Sequence, residues 1–439
     1  MNSIWTEDVR LPQFPALMED KKTDILIIGG GMAGILCAYF LQKAGVDYIL
    51  VEGDRICSGI TQNTTAKITS QHGLIYHKLL KSLGTEGAQK YLDINQAALA
   101  RYAELCGNID CDFERKSNYV YSVSDKEKLQ KEIEALEKIR YQAFLTKTWD
   151  LPFQTAGAVE FRNQAQFHPL KFIEKIAKGL NIYENTYITE TAPHTARFAK
   201  GRIVFDKVIF ATHFPVDNKH GMYFMKMYQH RSYVIAVKNG PDVDGMYVDD
   251  AMKGMSFRNH ESYLLIGGGG HRTGKHGGNW KELRDFTDKY YPDKKEVYHW
   301  AAQDCITLDD IPYIGRYSKN MPGCYVATGF NKWGMTSAMV SAMILTDMVR
   351  GKDNEYADIF NPDRNMIRPR LFTNLGETAL NFLSFSSKRC PHLGCALKWN
   401  AQEHSWDCPC HGSRFSEHGT LLDNPATGDG DWKEKRGQK

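Results

Sequence analysis

Four residues near the C-terminus have types and spacing suited to an inorganic centre. In CPHLGC (390–395) and CPCHGS (408–413), Cys390-x-His392 is followed after 15 residues by Cys408-x-x-His411. Two thiolates and two imidazoles fit a [2Fe–2S] site in which one iron takes sulfur and the other nitrogen. Tetrahedral zinc takes the same donors. The order of the ligands argues against zinc, because each short loop brings one Cys and one His rather than a Cys pair and a His pair. A second chemical signature lies at the other end of the chain, in TDILIIGGGMAGILCAYFLQKAGVDYILVE (23–52). Gly29, Gly31 and Gly34 follow an apolar β-branched run at G-x-G-x-x-G spacing. The first permits a tight turn, the second lets backbone approach a pyrophosphate, and the third lets helix pack on strand. Met32 and Ala33 open the helix, whose free N–H groups attract phosphate. Glu52 ends the next strand, where a carboxylate takes two ribose hydroxyls and disfavours a 2′-phosphate.

These residues need a scaffold, and the chain can supply one. Its 439 residues suggest two or three domains, with 42% hydrophobic content to fill their cores. The net charge of +3 (55 basic against 52 acidic) is too balanced to imply nucleic acid or an acidic membrane. No apolar run reaches the length of a transmembrane helix. The polar, Pro-containing start lacks signal-peptide character, so a cytoplasmic location is expected. Of ten cysteines, Cys390, Cys395, Cys408 and Cys410 crowd into 21 positions, which in a cytosolic chain suggests metal before a disulfide scaffold.

In order, residues 1–22 read as a surface arm and 23–53 as a βαβ unit. Asp54–Gly73 is a Ser/Thr/Gly-rich segment able to run along a cofactor. Residues 74–149 carry helical periodicity around a strand-like Asp112–Val123. His168-Pro169 signals a helix start. Ile182–Ile188 reads as one strand and RIVFDKVIFA (202–211) as a hairpin-like pair. The region 221–300 holds several strands. Tyr325–Met335 with Thr336–Val349 gives strand, Gly-rich turn and helix, a second nucleotide-contacting crevice. Asp353–Arg370 reads as a linker. Arg370–Lys388 is amphipathic at helical spacing; packing is expected of its apolar side, with a membrane surface as the alternative.

IIGGGMAG, the 182–188 strand, the FAT end of the 202–212 segment and DDIPYIGR…YVATGFNKWGM together resemble the flavin-dependent D-amino-acid oxidase and glycine oxidase family, across roughly residues 23–362. The resemblance implies an α/β plus α+β chain. An interrupted Rossmann-like FAD-binding domain (23–75, 150–215 and 301–352) carries a mixed-sheet substrate or cap domain (76–149 and 216–300). It implies FAD, with pyrophosphate at Gly29–Gly34 and ribose at Glu52. Thr64 and Thr65 fall near the isoalloxazine, Ile188 near adenine, and Ala211 at the strand end. Gly329, Lys332, Gly334 and Met335 fall at the pyrimidine side of the ring. A closer resemblance is to bacterial flavoproteins fused to a Rieske domain, here a small all-β subdomain (389–439) after a linker and amphipathic segment (353–388).

That second resemblance implies a disulfide between Cys395 and Cys410 and a sulfide-bonding role for Ser413. Phe415 stands where high-potential members carry a tyrosine. The usual strands before the first loop are missing, so the subdomain is expected to lean on the flavoprotein body or on another subunit. The implied activity is an amine or amino-acid dehydrogenase passing electrons through FAD and the cluster to a carrier protein or quinone. The alternative is an electron-transfer or redox-sensing module without a substrate of its own. Oxidation elsewhere, such as desaturation or tRNA modification, is also open to related folds, although the balanced charge weakens the tRNA option. Arg231, Tyr233, Arg258 and His271 are candidates for substrate contact, since an Arg there can clamp a carboxylate. Substrate, acceptor, catalytic residues and oligomeric state stay open.

Overall fold

In the structure, a computed structural model, residues 3–218 and 220–432 are described. Three sheets organise them. The first has eight strands and is parallel at its centre, where Lys21–Ile28 lies between Tyr48–Val51 and Gly201–Phe210. Ile28 pairs with Val51 on one side and Phe210 on the other, so three strand ends meet at one edge. Val51 and its neighbours are buried on both faces, which is why these strands read as continuous apolar runs. Cys324–Thr328 extends the sheet in parallel and Tyr313–Arg316 closes it antiparallel. The helices Met32–Lys43 and Gly334–Val349 pack together in the main core.

The second sheet has nine strands and is mixed. Its long members are Met227–Lys238, Tyr263–Arg272 and Lys295–Thr307, paired antiparallel. Gly157–Gln166 belongs to it, paired with Glu114–Ser122, so this strand of segment 150–215 lies outside the nucleotide-binding sheet. Lys295–Thr307 likewise carries residues 301–307 into the second sheet. The third sheet is a four-stranded antiparallel meander of Lys398–Asn400, Ser405–Asp407, Arg414–Ser416 and Leu421–Asp423.

Several local expectations change. The N-terminal arm runs over the surface but is anchored to the body: Trp5 is fully buried and Leu17 is buried, the residues between them are exposed or half-buried, and Lys21 already begins the central strand. Gly201–Phe210 is one strand; its hairpin partner is Thr195–Phe198 upstream. Ile182–Ile188 splits into Ile182–Tyr183 and the start of Ile188–Ala192. The supposed linker packs onto the body, with Phe360 buried and Arg364 paired with Asp309 at 2.7 Å.

Candidate active site and cluster centre

The glycine turn sits where the parallel strands end. Gly29 has φ +112°, and a Cβ there would meet the Ala211 carbonyl oxygen at 2.5 Å. A Cβ at Gly34 would lie 1.9 Å from the Gly29 oxygen, so this glycine is required by packing. The helix then starts at Met32 without a side-chain cap and without an acidic first turn, leaving its end suited to an anion. Glu52 accepts from Gly30 N–H at 2.6 Å and Asp54 N–H at 3.0 Å. Burial raises its pKa, partly opposed by those two donors.

The segment Asn63–Ala66 is held by three distant side chains. Trp5 Nε1 donates to Thr64 O at 2.7 Å and Trp300 Nε1 to Asn63 O at 3.0 Å. Arg258 donates to Thr65 O and Ala66 O at 2.9 and 3.0 Å. Lys67 follows, buried, with its pKa lowered to about 7 by desolvation and then by Arg258. Opposite it, Asn331 and Lys332 take positive φ in the turn before the Gly334 helix. Trp333 stacks on His72 at 5.2 Å. Lys332 opens into the cavity with Asp304, itself half-buried, near it; partial desolvation lowers the lysine's pKa and raises the aspartate's.

One cavity of about 1170 Å³ joins these pieces. Of the predicted cofactor residues, Gly29, Gly31, Met32, Ala33, Glu52, Thr64, Thr65, Ile188, Ala211, Lys332, Gly334 and Met335 line it. Gly34 and Gly329 are not among its lining residues. Gly34 acts through the strand–helix contact; Gly329, at φ +70°, would place a Cβ 2.4 Å from the Thr307 methyl group. Sequence reasoning missed His213, on the wall with its Nε2 unpartnered, whose only signal was its place just after the FAT strand end.

The four predicted cluster ligands come together in two matching loops. Gly394 N–H closes the first onto Cys390 O at 2.8 Å, and Gly412 N–H closes the second onto Cys408 O at 2.9 Å. Both glycines have positive φ, which explains the recurring Gly. Cys395 and Cys410 form a disulfide tying the loops together. The Cys390 and Cys408 thiols hydrogen-bond each other, and this contact, with the Ser413 side chain and two backbone N–H groups, lowers the Cys390 pKa against burial. The His392 and His411 rings stand 5.1 Å apart and perpendicular. His411 Nδ1 is buried with no partner, and desolvation holds this ring neutral, with a pKa of about 3. Such an orphaned donor atom beside paired thiols fits a metal-bound imidazole.

The subdomain docks on the second sheet by contacts that span the chain. Gln229 donates to His411 O at 3.1 Å, and Gln303 to Gly412 O at 2.9 Å. Arg272 donates to Pro409 O and Cys410 O. A Cβ on Gly412 would collide with Gln229 at 2.5 Å. Asn218 meets His392 Nε2 at 2.7 Å. Glu403 pairs with Arg231 and Arg414 and accepts from Tyr233 at 2.9 Å. Burial opposes its ionisation, but the two guanidiniums hold its pKa at about 2. Each candidate for substrate contact therefore has an internal partner: Arg231 and Tyr233 on Glu403, Arg258 on backbone carbonyls, and His271 on Tyr233 and Asn279.

Residues 24–348 match the FAD dependent oxidoreductase (DAO) family, and 381–431 match the Rieske [2Fe-2S] domain. The chain belongs to the DAO family of FAD-dependent oxidoreductases. Its tail is a Rieske domain, and the two together imply FAD and a [2Fe–2S] cluster. The Bacillus subtilis protein YhfW, named as a Rieske 2Fe-2S iron-sulfur protein, is 33% identical over 97% of this chain and 96% of its own. Gamma-glutamylputrescine oxidoreductase of Escherichia coli is 24% identical over 79% of this chain and 88% of its own. Among solved structures, glycine oxidase from Geobacillus kaustophilus matches at TM-score 0.65 and 17% identity, over 79% of this chain and 99% of that one. The DAO fold, with mixed sheets and an appended small β domain, is thus the fold of this enzyme. Among the described residues no helix is long and apolar enough to cross a membrane.

Proposed function

We propose that this oxidoreductase dehydrogenates a small amine and passes the electrons through FAD and the Rieske cluster to an external acceptor. One side chain carries the reading. Gln303 lines the cavity and also donates to Gly412 O, next to the cluster-ligand residue His411. A bound flavin takes electrons in pairs and a [2Fe–2S] cluster passes them singly, which a simple oxidase does not need. The glycine turn, the uncapped helix start and Glu52 would bind the dinucleotide. The clamped Asn63–Ala66 segment and the Lys332 turn would fix its ring between them.

An amine is favoured over an amino acid because Arg231, the best carboxylate clamp by type, is engaged by Glu403. On the cavity wall Asp250 is likewise paired, with Lys128 at 2.7 Å, which leaves the carboxylate of Asp249 suited to a cationic substrate. Anaerobic mixing with an amine and amino-acid panel tests this. The expected result is flavin bleaching followed by the EPR signal of a reduced cluster. Stoichiometric H₂O₂ with the cluster left oxidised overturns the electron route. Bleaching by no panel member, with ready reduction by a protein donor, replaces it with the redox-module reading.

A further inference from the structure

The helix Pro369–Leu383 is built inside out. Phe372, Leu375, Leu380, Phe382 and Leu383 lie 42–78% exposed, and Phe385 just beyond the helix is fully exposed. Its inward face is mostly polar: Asn374 and Asn381 are buried beside Leu371. Arg272 donates to Asn374 Oδ1 at 2.8 Å while also holding Pro409 and Cys410 of the second cluster loop. Ala396 N–H, beside the first loop, donates to Asn381 O at 2.9 Å. The helix cannot roll to hide its apolar side without breaking these bonds, so the exposure is fixed by the fold.

The charge around it names the occupant. From Arg368 to Lys398 there are five basic residues and one acid; Glu377 is paired with Lys275 at 2.6 Å and Arg370 with Asp310, which leaves Arg368, Lys388, Arg389 and Lys398. This stretch carries +4, more than the +3 of the whole chain. A second copy would meet like charge. A 15-residue helix is too short to span a bilayer but suits the plane of its surface, with Phe and Leu inserted and flanking Lys and Arg among anionic headgroups. We propose that this helix seats the protein on an anionic lipid surface. The apolar face runs directly into the first cluster loop, where Arg389 bonds both Phe382 O and Gly394 O, so lipid contact brings the cluster to the interface.

Flotation of the FAD- and cluster-loaded protein tests this. Vesicles of phosphatidylcholine with phosphatidylglycerol are compared with phosphatidylcholine alone. The wild type is expected to float with the anionic vesicles and to lose much of that binding in high salt. A variant carrying Phe372→Ser, Leu380→Ser, Leu383→Ser and Phe385→Ser should bind about tenfold less or weaker. Because those side chains face solvent, its flavin spectrum and cluster EPR should be unchanged. Wild type that stays down with both vesicle types overturns the proposal, as does a variant that floats equally well. A dimer dissociated by the same substitutions, with no vesicle binding by the wild type, assigns the face to self-association and also overturns it.

Discussion

The two cofactor regions of this enzyme are built by opposite means. The pyrophosphate end of the flavin crevice is made of backbone: a turn, an uncapped helix start and strand ends, shaped by glycines within a few positions of one another, while its proposed ring end is clamped by Trp5, Arg258 and Trp300. The cluster centre is made of side chains in two short loops, but its location is set from far away. Gln229 reaches His411 across 182 positions and Arg231 reaches Glu403 across 172. A ligand set can thus be local while the electron path it serves is a tertiary property. The crevice should therefore fail by steric insult at one residue, and the cluster region by undocking with its ligands intact.

The largest effect is expected at Gly34→Val. The added atoms would fall on the Gly29 carbonyl oxygen, and backbone has nowhere to move, at a cost of about 3 kcal/mol or more. The purified variant should lack flavin absorbance yet retain the cluster EPR signal. Loss of both signals would mean that the regions fold as one unit and would break the contrast.

Next comes Glu403→Gln. Glu403 and Arg231 are almost wholly buried, and removing one partner of such a pair costs about 3 kcal/mol. Flavin should stay bound while the subdomain becomes sensitive to limited proteolysis. The same pair gives a pH dependence. Glu403 titrates from an ordinary 4.5 to about 2 when docked, so between those values the undocked form binds more protons. Docking should be complete above 4.5 and weaken as pH falls toward 2, in the wild type and not in the Gln variant. Scattering profiles that expand identically for both proteins would remove Glu403 as the latch.

This division explains what the sequence disclosed. The grouping of Gly29, Gly31 and Glu52, and of Cys390, His392, Cys408 and His411, was legible because their geometry is set by neighbours in the chain. Gln303, Arg272, Asn218 and Glu403 carry no local signature; only the meeting of two sheets and a tail gives them a role. The Gly201–Phe210 strand was misread because Asp206-Lys207 looks like a turn, although the burial alternates through it before all three last residues are buried. For the Pro369–Leu383 helix, periodicity showed two faces but not which one the body would cover. Trp5 was hidden for the same reason, since nothing local ties an N-terminal tryptophan to the carbonyl of Thr64.

A smaller effect is expected at Gln303→Ala. This buried side chain donates to Gln229 at 2.7 Å as well as to Gly412 and accepts from Thr273 at 2.9 Å. Its loss should cost about 1 to 2 kcal/mol. Stopped-flow traces should show slower cluster reduction after flavin bleaching, with both midpoint potentials unchanged. Unaltered transfer would place the electron path elsewhere.

The smallest expected effect is confined to the cluster and isolates its electronics from its docking. Phe415 is fully buried among the four tail cysteines, with its ring 5.4 Å from Trp432 and its backbone paired with Trp406. A tyrosine there would add a hydroxyl donor inside the same cluster of side chains. Hydrogen bonds to cluster sulfur stabilise the reduced, more negative state. A net gain of about 1 kcal/mol in a one-electron couple corresponds to roughly 40 mV. Phe415→Tyr should therefore raise the potential by that order in a voltammetric titration, without changing flavin content or the acid dependence of docking. A shift confined to the cluster would show that the centre is tuned locally even though it is positioned globally. No shift would mean that the phenol cannot reach sulfur past Trp432, making packing rather than hydrogen bonding the local control.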